Sequence, residues 1–185
     1  MSALRFFHRR ATRHLGIVLI GALVLVTAGC GFHPVGSTGQ LPAAMKVTYV
    51  ASSEPYGYLE NALRRAIAAR GAQVSENRPQ AGAVLDIIHT ELKRRVLAVT
   101  GLGQPQEYEL DYSVRFRLFD SRGDELLAPQ SVSLTRNLAY NLSIQLGSSL
   151  RQAQLKRDMQ QEAVRLIMLR LAALERREKA KTAHP

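Results

Sequence analysis

The sequence is short of the residues on which much protein chemistry depends. It has one cysteine in 185 residues, so no intramolecular disulfide can form. Beyond residue 29 the only histidines are His33, His89 and His184, and none sits at ligand spacing from a cysteine or carboxylate. No glycine-rich loop follows a strand and opens a helix; Gly101-Leu102-Gly103 falls in a hairpin, where glycine serves the turn. No Gly-x-Ser-x-Gly elbow is present. The apolar or glycine run Leu15 to Val26 has 12 residues, well short of the roughly 20 that cross a bilayer core. These absences argue against a metal site, a nucleotide-binding fold, a serine hydrolase and a spanning helix. No cofactor is expected, and the chain is not expected to be an enzyme.

What is present begins at the N-terminus. Arg5, Arg9, Arg10 and Arg13 precede the apolar run, and Thr27-Ala28-Gly29 follow it and lead into Cys30. A basic segment, a short apolar segment and a small-residue cleavage site make a secretory signal peptide, expected over residues 1–29. The cysteine directly after the small residues resembles a bacterial lipobox, with Thr27 where leucine is usual. That resemblance implies that Cys30 is acylated, with palmitate among its chains, and becomes the first residue of the mature protein. Each buried methylene contributes about 0.8 kcal/mol, and two or more chains anchor stably. Gly31 follows the cysteine instead of Asp; under the enteric sorting rule this favours the outer membrane.

The formal charge is +10, and four of the 25 Lys and Arg leave with the signal peptide. The mature chain keeps 21 against 15 Asp and Glu, or +6. In an exported protein this charge points to phosphorylated lipid or an acidic polymer, unless it serves only solubility. Nucleic acid is not an expected partner, because the signal peptide removes the chain from it.

Residues 30–44 are rich in Gly and Pro and read as a lipidated tether. Met45 to Val50 alternates and is expected to be the first strand. Leu59, Ala62, Leu63, Ala66 and Ile67 form one helical stripe, opposite Glu60, Asn61, Arg64 and Arg65, and Gly71 ends that helix. Gln73 to Ser75 can pair briefly. Ala83 to Val99 is a long strand of uneven pattern, with Leu85 and Ile87 on one face and Val84, Ile88 and Leu92 on the other. It is either covered on both faces or broken by a bulge. Glu107 to Phe119 alternates strictly, its apolar set running from Tyr108 to Leu118. Leu126 to Tyr140 makes the next strand, Asn141 to Ser149 a polar loop, and Leu150 to Glu178 a long helix. Residues 179–185 read as a polar, frayed tail. The expected fold is an α+β two-layer sandwich of order β-α-β-β-β-α: a four-stranded, mostly antiparallel sheet with two helices on one face, forming a single domain over residues 45–178.

The basic residues carry most of the functional information. Lys93, Arg94 and Arg95 lie late in one strand, Arg115 and Arg117 on the polar face of the next, and Arg136 in the apolar phase of the third. Arginine matches phosphate as a planar fork and lysine as a point charge. These six are the candidate contacts to a phosphorylated lipid. The competing reading is that Glu107, Glu109 and Asp111 neutralise them across strands. His89 is expected to be a half-buried structural residue.

Thr27-Ala28-Gly29-Cys30-Gly31-Phe32-His33, Leu41-Pro42, the Met45-Lys46-Val47 strand start, Gly103-Gln104-Pro105-Gln106-Glu107-Tyr108-Glu109-Leu110 and the Pro129, Val132, Arg136 strand together resemble the LptE family of lipopolysaccharide-assembly lipoproteins. The resemblance covers Cys30 to about Leu174. It implies a lipid-anchored outer-membrane protein that faces the periplasm and the lumen of the β-barrel LptD. There it would plug the barrel, assist its folding and bind lipopolysaccharide during delivery to the outer leaflet. It also implies that basic side chains contact the lipid; Arg136 aligns with an arginine of the family, and Lys93 to Arg95 stand in for a cation missing from the turn at Thr100 to Pro105. Two other readings are an anchored component of another envelope assembly machine, and a hydrolase of an envelope polymer using Glu107, Glu109 or Asp111.

Overall fold

The strictly alternating run from Glu107 to Phe119 lies inside the middle strand of an antiparallel meander. The structure, a computed structural model, describes residues 39–139 and 145–183. Cys30, the signal segment and most of the tether lie outside the described residues. Strands β1 (Val47–Ser52), β2 (Gln73–Val74), β3 (Ala83–Val99), β4 (Pro105–Asp120) and β5 (Glu125–Ala139) pair in the order β2-β1-β3-β4-β5. Strands β3, β4 and β5 form an antiparallel meander, and β1 runs parallel to both β2 and β3. Helices α1 (Tyr58–Ala68) and α2 (Gln145–Ala183) complete the α+β fold. The sheet has five strands where four were expected, because the brief pairing at Gln73–Val74 is a true edge strand.

Period two explains β4. Leu110, Tyr112, Val114, Phe116 and Leu118 are buried, while their odd-numbered neighbours stay at least partly accessible. The buried set meets Leu59, Leu63 and Ile67 of α1 and Met159, Ala163, Ile167, Met168 and Leu171 of α2 in one core. Each Leu, Val, Ile, Phe or Met side chain among them contributes about 1.5–3 kcal/mol when taken out of water. Glu60 departs from its expected place on the wet face of α1. It is buried, and its Oε2 accepts the backbone N–H of Tyr56 at 3.1 Å. Tyr56 itself holds a left-handed φ of +63°; the Asn61 side chain donates to its carbonyl at 2.7 Å and helps fix it there.

The uneven pattern of β3 is a bulge. Ile87 pairs with Phe116 and His89 with Arg115, so Ile88 has no partner on β4. Before the bulge Ala83, Leu85 and Ile87 face the core; after it Thr90, Leu92 and Arg94 take that face, opposite Val114, Tyr112 and Leu110. Leu92 therefore joins the face of Leu85, contrary to the expectation from straight alternation. His89, expected to be half-buried, is exposed on the other face.

Several boundaries also move. Met45 and Lys46 belong to a 3-10 turn, Ala43–Lys46, so β1 starts at Val47. Buried Met45 is held there by the Thr48 hydroxyl, which donates to its carbonyl at 2.7 Å. Helix α2 begins five residues before Leu150 and continues through Ala183, so Gly147 to Ser149 and Lys179 to Ala183 are helical, not loop and frayed tail. Tyr140 lies outside the described residues.

Three contacts tie the periphery down. The Lys179 ammonium donates to Gln40 Oε1 at 2.9 Å, and Gly39 lies so close to α2 that an added Cβ would sit 2.6 Å from that of Ala172. The start of the described chain is thus strapped across α2. At the other edge, Arg170 of α2 donates to the backbone carbonyl of Ser131 in β5 at 2.7 Å. Pro129, which has no N–H to give, falls where β5 bulges opposite Arg117.

Candidate functional site

Strand alternation divides the six basic candidates between the two faces of the sheet. Lys93 stands opposite Asp111 and Arg95 opposite Glu109, on the face away from the helices, together with Arg115 and Arg117. Arg94 and Arg136 both stand opposite Leu110, one on each side, on the helix face. The run Lys93 to Arg95 is consequently not one patch, because successive side chains of a strand point in opposite directions.

The outer face is a ladder of compensated charge. Arg95 donates to Glu109 and, at 2.8 Å, to Asp111. The Thr135 hydroxyl donates to the other Asp111 oxygen at 2.7 Å, and Asn137 donates to Glu107 at 3.0 Å. Hydrogen bonding from Thr135 and then Arg95, with the charges of Arg95 and Lys93, holds the Asp111 carboxyl below the usual range against partial desolvation. The same carboxylates, Asp111 first, raise Arg95. Lys93 pairs with Glu91 at 3.1 Å, and Arg117 pairs with Asp86 at 2.8 Å while lying 4.7 Å over the ring of Phe119. Arg115 is exposed and forms no ion pair among the described residues. Neutralisation across strands is thus what the structure shows for Arg95, by Glu109 and Asp111, and for Arg117, by Asp86, while Lys93 is paired within its own strand. The carboxylates proposed for hydrolysis are engaged in this ladder.

The helix face differs at its far end. The guanidinium of Arg94 lies 4.7 Å over the ring of Tyr108 and within 3.5 Å of the Gln152 amide oxygen on α2. Arg136 is exposed and donates to the carbonyl of Thr135 at 2.9 Å. It also contributes, after the Arg165 hydrogen bond, to keeping Glu162 below the usual carboxyl range. Neither Arg94 nor Arg136 has a carboxylate in salt-bridge contact among the described residues. With β4 between them, their backbones lie about 10 Å apart. Beyond Arg136, a groove of about 680 Å³ separates the end of β5 from the α2 turns around Leu150, and Arg151 and Arg157 line it. Beyond Arg94, the hairpin end exposes Val96, Leu97, Val99 and Leu102, the last at 88%. Cation and exposed apolar surface therefore meet at one end of the helix face. The sequence reading missed Arg151, Arg157 and the apolar hairpin end. The signal was available in Val96, Leu97, Val99 and Leu102, four large apolar residues around a turn.

The comparisons with known proteins agree with this architecture. The chain is 28% identical over 164 residues to the LPS-assembly lipoprotein LptE of Photorhabdus laumondii, covering 89% of this chain and 88% of that one. Its fold resembles the solution structure of lipoprotein B from Nitrosomonas europaea, at 30% identity and a TM-score of 0.63, over 77% of this chain and 91% of that one. The rare lipoprotein B of Shewanella oneidensis shares the fold at 22% identity and a TM-score of 0.62, over 72% of this chain and 98% of that one. The model of the LptE family, described as lipopolysaccharide-assembly, matches residues 45–171, from the buried Met45 to Leu171 in the core, and the chain belongs to that family.

Proposed function

We propose that the protein is an outer-membrane lipoprotein, anchored through acyl chains on Cys30, that plugs the LptD barrel and binds lipopolysaccharide on its way to the outer leaflet. Family membership carries the reading, and the two faces of the sheet give it a division of labour. A barrel lumen is polar, and the ladder around Arg95, Asp111 and Thr135 offers it a polar wall whose charges are already compensated. Lipopolysaccharide joins phosphates to acyl chains. The helix face supplies Arg94 and Arg136 for the first and the hairpin end around Leu102 for the second. Of the six candidate cations, these two are the ones aimed at lipid; Lys93, Arg95, Arg115 and Arg117 face the lumen.

The test is a mild-detergent pull-down of the mature protein from outer membranes, with the mass of the stoichiometric partner read by mass spectrometry. A large β-barrel at a one-to-one ratio is expected. A set of small lipoproteins, with no barrel, would overturn the plug and favour another envelope assembly machine.

A further inference from the structure

A second concentration of positive charge lies at the far end of the chain's strap, away from the lipopolysaccharide candidates. The segment from Gln40 to Lys46, the turn after α1 and Glu175 of α2 line an open cavity of about 290 Å³. Arg70, which follows α1, lines it. The Arg70 Nε atom is shut off from solvent and has no hydrogen-bond partner, and its guanidinium makes no ion pair among the described residues. Burial lowers its pKa, but a guanidinium does not lose its proton in a protein. The carboxylate on the wall is already taken, since Glu175 accepts from Lys179 at 2.8 Å. Lys46 lines the same cavity from an exposed position. Two cations, Lys46 and Arg70, thus line the cavity with one carboxylate that is itself paired to Lys179, beside the apolar Leu41, Ala43 and Ala72.

A partly buried cation without a partner is costly, and the planar fork of arginine fits two oxygens of one anion. We propose that this cavity binds a phosphate group, held between Arg70 and Lys46, with room on the apolar side for the alcohol esterified to it. The phosphate is either that of a membrane lipid headgroup or free in solution. The lipid source rests on the anchor reading. Gly39 is nine residues from Cys30, at most about 30 Å of extended chain, so an acylated Cys30 keeps the cavity within reach of headgroups.

The experiment is a titration of the ¹⁵N-labelled full-length protein in neutral detergent with inorganic phosphate and, separately, with dihexanoyl phosphatidylglycerol, following the backbone amides of Gly71 and Ala72, which line the cavity, in every variant, and the Arg70 Nε–H resonance where Arg70 is present. A saturable shift is expected. Arg70→Gln is expected to weaken binding roughly tenfold or more, and exposed Arg65→Gln to leave it unchanged. Lys46→Gln, at an exposed position, is expected to weaken binding as well, and it decides the matter if Arg70→Gln does not fold. Saturation by the lipid alone assigns the site to a headgroup; saturation by inorganic phosphate at comparable affinity assigns it to the free ion. No saturable shift with either probe, or equal losses in the Arg70 and Arg65 variants, overturns the proposal. Both probes dissolve in water, so failure of the anchor at Cys30 would leave the result intact.

Discussion

Arg95 binds Asp111 on the diagonal: its Nη2 donates to Asp111 Oδ2 at 2.8 Å, although the residue directly across from Asp111 is Lys93. With Thr135 on the other oxygen, the Asp111 carboxyl sits below its ordinary range in the folded protein. A depressed folded-state pKa contributes stability that is complete above the unfolded value, about 4, and is lost as pH falls through the folded value. Asp111→Asn should therefore lower Tm at pH 7, with the gap from wild type closing as the pH drops below 4. Thermal melts between pH 7 and 2 check this; a gap that stays constant over the range would contradict it.

Phe116 is fully buried in the centre of β4. Replacing it with alanine removes its contacts with the core and leaves a void, at a cost of about 3–5 kcal/mol. Urea denaturation should show the loss as an earlier midpoint with little change in slope.

The bulge at Ile88 sets which side chains of β3 meet the helices. Deleting Ile88 would remove the extra residue: Ile87 and His89 would become neighbours, alternation would run straight through the strand, and Thr90, Leu92 and Arg94 would stay on the helix face with the same partners. The urea midpoint should shift little. Ile88→Gly keeps the extra residue and should also retain the fold. A steep fall in the deletion variant would show that the bend at the bulge is needed as well as the register.

The two faces should separate in lipid binding. Arg94→Gln with Arg136→Gln should weaken binding to lipopolysaccharide and flatten its salt dependence, since fewer charges remain to be screened. Lys93→Gln with Arg95→Gln should leave binding nearly unchanged, because both cations already have carboxylate partners. Titrations at several salt concentrations decide it, and the reverse ranking would move the lipid to the outer face.

The anchor has its own test. Cys30→Ala should abolish incorporation of radioactive palmitate and leave an uncleaved or unlipidated chain. Undiminished labelling in that variant would remove Cys30 as the acylation site.

Much of the fold was legible because local pattern and tertiary burial agree. In β4 every even residue from Leu110 to Leu118 is apolar and buried, and in α2 the stripe from Ala163 to Leu171 is the face that packs. Where the reading failed, the deciding fact was not local. A bulge was one of the two readings of Ala83 to Val99, but a bulge inserts a residue without requiring a special one, so nothing marked Ile88 as its place. Gly147, Ser148 and Ser149 read as a loop by propensity, yet they lie inside the first turns of a 39-residue helix. The candidate site was half legible. Period two was enough to send Arg94 and Lys93 to opposite faces, but the compensation of Arg95 depended on which carboxylates β4 brings beside it. Arg70 carried no signal, because its surroundings are assembled from the strap and α2, far away in sequence.

The reach of Arg170 to the Ser131 carbonyl has a consequence for how the protein survives crowding. Strand β5 is the long outer member of the sheet, and a second polypeptide could in principle extend the sheet there by pairing backbone to backbone. One acceptor on β5 is already committed to a charged side chain, and Pro129 nearby cannot donate. An incoming strand would have to expel a guanidinium and bridge a proline to continue the ladder. Neighbouring copies are thereby discouraged from polymerising through this edge, and the exposed border stays a terminus instead of a template.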